Sequence, residues 1–145
     1  SAALAAITAG SDVPLGPVAA VGFVLWLGGW SLEVAADRQK RDFRSAERNR
    51  DAFITTGLWA WSRHPNYFGE IVLWIGVAVV AAPTFEGWRW VTLISPVFVI
   101  FLLTRVSGVN LLEARADERW GGREDYEAYK RRTPVLIPRP PGSPR

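Results

Sequence analysis

Apolar residues gather into three blocks along the chain, Pro17 to Ala36, Phe68 to Ala82 and Trp90 to Val106, and the stretches between them are rich in charge. Each block approaches the roughly 20 residues an α-helix needs to cross a bilayer core about 30 Å thick. The pattern predicts helices over 17–44, 65–82 and 89–107, within a single membrane domain covering 1–145. Residues 111–132 follow as a charged amphipathic segment broken at Gly121-Gly122, with Leu111, Leu112, Trp120, Tyr126 and Tyr129 interspersed, as expected for helical pieces lying on a membrane surface. Thr133 to Pro138 reads as an extended run that packs back, and 139–145 as a disordered tail. The fold class is therefore all-α, a polytopic membrane helical bundle.

The second block opens on the most informative stretch, Ser62-Arg63-His64-Pro65-Asn66-Tyr67-Phe68-Gly69-Glu70. Pro65 suits the first turn of a helix because its φ is fixed and its missing N–H would have no partner there. Asn66 and Glu70, four residues apart, then share one helix face. A carboxylate at the membrane edge is costly and by default faces the bundle interior, where it marks a binding site. The plainer reading makes Ser62 or His64 a helix cap and leaves Glu70 among headgroups.

Upstream, Glu33, Asp37, Arg41 and Arg44 recur at four, four and three residues, a polar stripe running out of the first block along one helix face. Arg suits bidentate contact with phosphate, and a carboxylate accepts hydrogen bonds from ribose hydroxyls or an amide, so the stripe suits a long polyanionic ligand. An ordinary juxtamembrane helix touching anionic lipid has the same composition, and spacing alone leaves both readings open.

Charge placement adds an orientation. Arg38, Lys40, Arg41, Arg44, Arg48, Arg50 and Arg63 lie between the first two blocks, and a second basic group follows the third; Arg89 alone lies between blocks two and three. By the positive-inside rule both basic segments face the cytoplasm. The first block lacks the flanks of a removable leader, and Gly22, Gly28 and Gly29 within it suit close helix packing. Residues 2–9 resemble the tail of an earlier helix, so further N-terminal helices of a longer chain are expected partners. With no Cys and one His, a metal centre is not expected. Neither a Gly-x-Gly-x-x-Gly nor a phosphate-binding loop of the Walker type is present, so a nucleotide would be held in some other way. No nucleic-acid partner is expected.

Gly57-Leu58-Trp59, Arg63-His64-Pro65-Asn66-Tyr67-Phe68-Gly69-Glu70, Ser107-Gly108, Glu113, Tyr126, Tyr129 and Ile137-Pro138 together resemble the C-terminal half of the bacterial membrane proteins related to steroid 5-alpha-reductase. The resemblance spans about Pro17 to Pro138 and implies a seven-helix fold of which this chain carries the later helices. It also implies NADPH as cofactor, hydride transfer to a carbon–carbon double bond conjugated to a carbonyl, and a lipidic substrate, steroid-like or isoprenoid. Asp37, Arg41, Arg44, Asn66 and Glu70 match cofactor-contacting positions of that family, with Glu33 standing where the steroid enzymes have Asn. Arg63, His64 and Tyr67 complete the expected cofactor-binding set, and Gly69 is expected to let the cofactor approach the backbone. The catalytic Tyr and Glu of the family lie on N-terminal helices and have no counterpart here, so the chain alone is expected to bind cofactor without turnover. Two rivals remain. Arg63-His64-Pro65, Glu113 and the paired Tyr126 and Tyr129 also resemble S-adenosylmethionine-dependent methyltransferases of the isoprenylcysteine type, and a non-catalytic module binding membrane lipids would explain the basic stripe.

Overall fold

The structure is a computed structural model that describes residues 16–84, 87, 91, 93–106 and 108–142, and among these every regular element is helical. The expectations for residues 2–9, Arg89, Ser107 and 143–145 fall outside the described residues. The elements are α1 (Pro17–Ser45), α2 (Pro65–Ala81), α3 (Ile94–Phe101), α4 (Val109–Trp120) and α5 (Glu124–Arg132). Short 3-10 turns at Glu47–Asn49, Gly57–Ala60 and Ala82–Thr84 join them.

Two helical runs, Pro17–Ser45 and Ile94–Trp120, are long and apolar enough to cross a membrane, and the chain is an all-α membrane protein. Pro17 starts α1 at a position where its missing N–H costs nothing, and the next proline in the chain after it is Pro65. At 29 residues α1 is about 44 Å long, enough to pass through a bilayer core and extend beyond it as a charged arm. The second block forms α2 over Pro65–Ala81, within one residue of the expected 65–82; at 17 residues it reaches about 26 Å before the 3-10 turn that contains Pro83. The third helix differs from a uniform 89–107 rod. Regular α-helix runs from Ile94 to Phe101 and widens into a π turn over Leu102–Val106, where the Thr104 hydroxyl donates to Ile100 O at 2.7 Å and so competes within the backbone ladder.

Helices α1 and α2 form an antiparallel hairpin through four glycines spaced seven apart on each helix. A Cβ at Gly69 would lie 2.7 Å from Glu33 N and 2.8 Å from Gly29 O; one at Gly76 would lie 2.7 Å from Gly22 O. Without Cβ atoms the two backbones touch, which multiplies dispersion contacts where no hydrophobic force separates helix from lipid. The opposite face of α1 is uncovered: Val21 and Val24 are 57% and 68% exposed, and Gly28 has nothing within 4 Å of where its Cβ would be. That face is left for acyl chains or further helices.

A charged cap closes one end of the hairpin. Trp59, 3% exposed, donates from Nε1 to Ala36 O at 3.0 Å and joins Ala36 and Ile54 in a small core, with Phe43 and Leu58 packed around it. Gly57 holds a positive φ of 59°, which turns the chain so that Leu58 N donates to Gln39 Oε1 at 2.9 Å. The run after α5 packs back as expected, without forming a strand: Arg63 N donates to Pro134 O at 2.9 Å and Ser62 Oγ to Leu136 O at 2.9 Å. Arg139, where a disordered tail was expected to begin, instead donates its amide to Trp61 O at 2.9 Å.

Candidate functional site

Between the end of α1, the 50–64 loop and the α4–α5 pair lies a cavity of about 390 Å³. One wall is aromatic: Phe53 meets Tyr126 edge-on at 5.1 Å and lies 5.6 Å from both Trp120 and Tyr129. The other is basic, carrying Lys40, Arg44, Arg63, Arg115 and Arg119, with Glu113 as its one carboxylate. Arg119 holds the loop by donating to Arg50 O at 2.7 Å, and the Tyr129 hydroxyl donates to Trp59 O at 2.7 Å, so both walls are fixed to backbone.

Glu113 is itself clamped. One of its oxygens pairs with the Arg63 guanidinium and the other meets His64 Nε2 at 2.7 Å. With Nε2–H donating to Glu113, His64 presents a bare Nδ1 lone pair. Ser62, fully buried, accepts from His64 N at 3.1 Å and fixes the turn into α2; neither Ser62 nor His64 caps the helix with its side chain.

One turn deeper, the acidic groups gather along the hairpin seam. Glu33, Asp37 and Glu70 lie within electrostatic reach of one another, and Glu70 accepts a hydrogen bond from Trp74 on its own helix. Tyr67 joins the two zones: its ring stacks on His64 at 5.8 Å and 12°, and its hydroxyl feels both Glu70 and Asp37. The carboxylates lie outside the cavity lining, with Tyr67 between them and His64.

Among the described residues the buried side-chain N and O atoms that lack any hydrogen-bond partner are Arg63 Nε, His64 Nδ1 and Asn66 Oδ1. Each such atom costs about 1–3 kcal/mol when left unpaired, so three within four residues make this junction a candidate ligand site. Their character is specific: Arg63 Nε is a cationic donor that suits an anionic oxygen, while His64 Nδ1 and Asn66 Oδ1 accept from hydroxyl or amide N–H groups. A sugar phosphate offers both kinds of partner.

Of the expected residues, Arg44, Arg63 and His64 line the cavity, while Glu33, Asp37, Tyr67 and Glu70 lie along the seam. Arg41 is exposed and does not line the cavity. Gly69 differs from expectation: its missing Cβ admits the backbone of α1, so the close approach there is helix against helix. Lys40, Phe53, Arg115 and Arg119 do not stand out in the sequence, because isolated charges and a single aromatic in a polar run carry no periodic signal.

Burial holds the tyrosines of the aromatic wall protonated. Desolvation, assisted by nearby Asp117, pushes the Tyr126 phenol up to about 12, and desolvation raises Tyr129 as well.

Residues 1–133 match the family described as protein of unknown function (DUF1295). The chain is also similar to 3-oxo-5-alpha-steroid 4-dehydrogenase 1 of Rattus norvegicus, 30% identical over 122 residues that cover 84% of this chain and 42% of that protein. The Mus musculus protein of the same name gives 30% identity over the same shares, and the Homo sapiens protein 28% over 118 residues, 81% of this chain and 40% of the relative. The chain therefore spans about two fifths of the length of the curated relatives it matches. No solved structure matches significantly.

Proposed function

Since the chain belongs to the DUF1295 family and is steroid 5-alpha-reductase-like, we propose that it supplies the cofactor-binding part of a membrane oxidoreductase acting on a conjugated carbon–carbon double bond of a lipidic enone. NADPH supplies the hydride for that chemistry when bound. The observation that carries the reading is the cluster of unpartnered buried atoms on Arg63, His64 and Asn66 beside a basic and aromatic cavity.

The division of charge between the cavity and the seam supports one direction of binding. Phosphates belong beside Lys40, Arg44 and Arg63; Glu33, Asp37 and Glu70 repel them but accept hydrogen bonds from sugar hydroxyls or a carboxamide. Asn66 orients the ligand between the two zones, where Tyr67 stacks on His64. Glu33, Asp37 and Glu70 would hold the nicotinamide half, beside the membrane from which a lipidic substrate, steroid-like or isoprenoid, would arrive. The basic end faces the cytoplasm of a bacterial inner-membrane protein. Groups that polarise the enone carbonyl come from further N-terminal helices of a longer chain.

A second reading has its own support. Arg63, His64, Glu113, Tyr126 and Tyr129 surround one cavity, and these are the residues shared with isoprenylcysteine-type methyltransferases. S-adenosylmethionine carries a sulfonium cation and no phosphate, so a wall of five cations disfavours it. Thermal melting of the purified chain in detergent separates the two: NADPH should raise the melting temperature and S-adenosylmethionine should not. A rise with S-adenosylmethionine alone overturns the reductase reading. A response to neither, with a shift on adding anionic lipid, would identify a lipid-binding module.

A further inference from the structure

The run after α5 is fastened to the mouth of α2, yet it turns apolar side chains outward. Arg63 N donates to Pro134 O, Ser62 Oγ to Val135 O at 3.3 Å and to Leu136 O at 2.9 Å, and Arg139 N to Trp61 O. Buried Thr133 anchors the start of the run. With the backbone held in this way, Ile137 is 67% exposed, Val135 38% and Trp61 44%. Single apolar side chains on a surface are ordinary, but these three sit on two adjoining segments where the chain enters an apolar helix.

Their position says what covers them. Pro65 opens α2 shortly after Trp61, and the helix reaches about 26 Å, short of a bilayer core of about 30 Å. A short span is accommodated by groups flanking its ends, and Trp is a side chain suited to that boundary. Charge agrees with this placement. Arg131 and Arg132 close α5 and Arg139 follows Ile137; all three are exposed, and among the described residues none has a carboxylate oxygen within salt-bridge distance. Basic side chains beside an apolar tip complement the headgroups of an anionic lipid. We propose that Trp61, Val135 and Ile137 insert into the leaflet boundary at the mouth of α2, with Arg131, Arg132 and Arg139 resting on anionic phospholipid headgroups. The run from Thr133 to Arg139 is then a membrane-seated strap that ties α5, and with it one wall of the cavity, to the lipid surface. The strap does not depend on what occupies the cavity.

The chain has no Cys, so a single nitroxide label reports the depth of one position. Ile137→Cys and, as an aqueous reference, Glu118→Cys at an exposed position of α4 are labelled in the full chain. Each is placed in nanodiscs of phosphatidylcholine with and without phosphatidylglycerol. Power saturation then compares collisions with oxygen, which concentrates in lipid, and with a water-soluble nickel chelate. The Ile137→Cys label should favour oxygen over nickel several-fold more than the Glu118→Cys label does, and more strongly when phosphatidylglycerol is present. Combining Arg132→Ala and Arg139→Ala should abolish the response to phosphatidylglycerol while the fold persists, since both side chains are exposed. Equal nickel access at the two labelled positions overturns the strap. Shielding of the Ile137→Cys label from both reagents also overturns it, because protein, a second copy or a further helix, would then cover the patch. An oxygen preference that ignores phosphatidylglycerol overturns the headgroup seat of the arginines.

Discussion

In the α1–α2 hairpin two backbones touch through Gly22, Gly29, Gly69 and Gly76, whereas the charged cap is fastened by side chains that reach far along the sequence to individual carbonyls, as Trp59 does to Ala36 and Tyr129 to Trp59. The hairpin depends on what its residues lack. The cap depends on directed donors and acceptors, and it is there, at the junction, that some of them are left unpaired. Packing by shape gives a rigid floor within lipid; hydrogen bonding gives a wall whose chemistry a ligand can complete.

The sharpest break between the regions should come from the glycines. Gly69→Leu places a side chain against the backbone of Glu33 and Gly29, which has no rotamer to yield, and should destabilise the fold by about 3 kcal/mol or more. Gly28→Leu, on the open face of the same helix, should leave the melting temperature in detergent nearly unchanged. Equal losses in the two variants would contradict the glycine contact. Next in size is the clamp. Glu113→Gln leaves the half-buried Arg63 charge without its partner and should cost on the order of 2 kcal/mol, with a concurrent fall in ligand affinity, measurable by chemical denaturation and titration. Retention of both stability and affinity would show the clamp to be dispensable. Ser62→Ala removes a buried hydroxyl that accepts from His64 N and donates to Leu136 O, and should cost about 1–2 kcal/mol without changing the hairpin.

A smaller effect separates the cap by pH. Folding holds the Tyr126 phenol at about 12, chiefly through burial, and raises Tyr129 too, while the unfolded chain releases such protons near pH ~10. The stabilising contribution is complete below that value and is lost as pH rises through the folded-state values, because the native protein then holds protons the unfolded one has released. Thermal melts against pH should decline above about pH 10, and Tyr126→Phe should make the decline shallower. An identical decline in that variant would remove Tyr126 from the account.

Sequence pattern made part of this visible. Pro65 announced the start of α2, the Asn66 and Glu70 spacing put both side chains on one helix, and the stripe from Glu33 to Arg44 does lie on one continuous helix, because backbone periodicity alone determines these features. The glycines were legible as small residues but their pairing was not, since the seven-residue spacing on each helix gives no indication of which glycine meets which. That is why Gly69 was expected beside a cofactor and stands beside α1. Arg63 and His64 meet Glu113 across 49 or more positions, and Lys40, Arg115 and Arg119 converge from separate polar segments; only tertiary packing brings such groups to one cavity.

The central claim is that the cavity of the cap, with the carboxylates of the hairpin seam beyond it, receives a reduced phosphorylated dinucleotide. Hydrogen–deuterium exchange of the full chain in detergent tests it most directly, followed over the 50–64 loop, α4 and α5 with and without ligand. The account predicts that NADPH slows exchange in all three segments together and that S-adenosylmethionine leaves them unchanged. Unaltered exchange with saturating NADPH, or protection by S-adenosylmethionine alone, would contradict it.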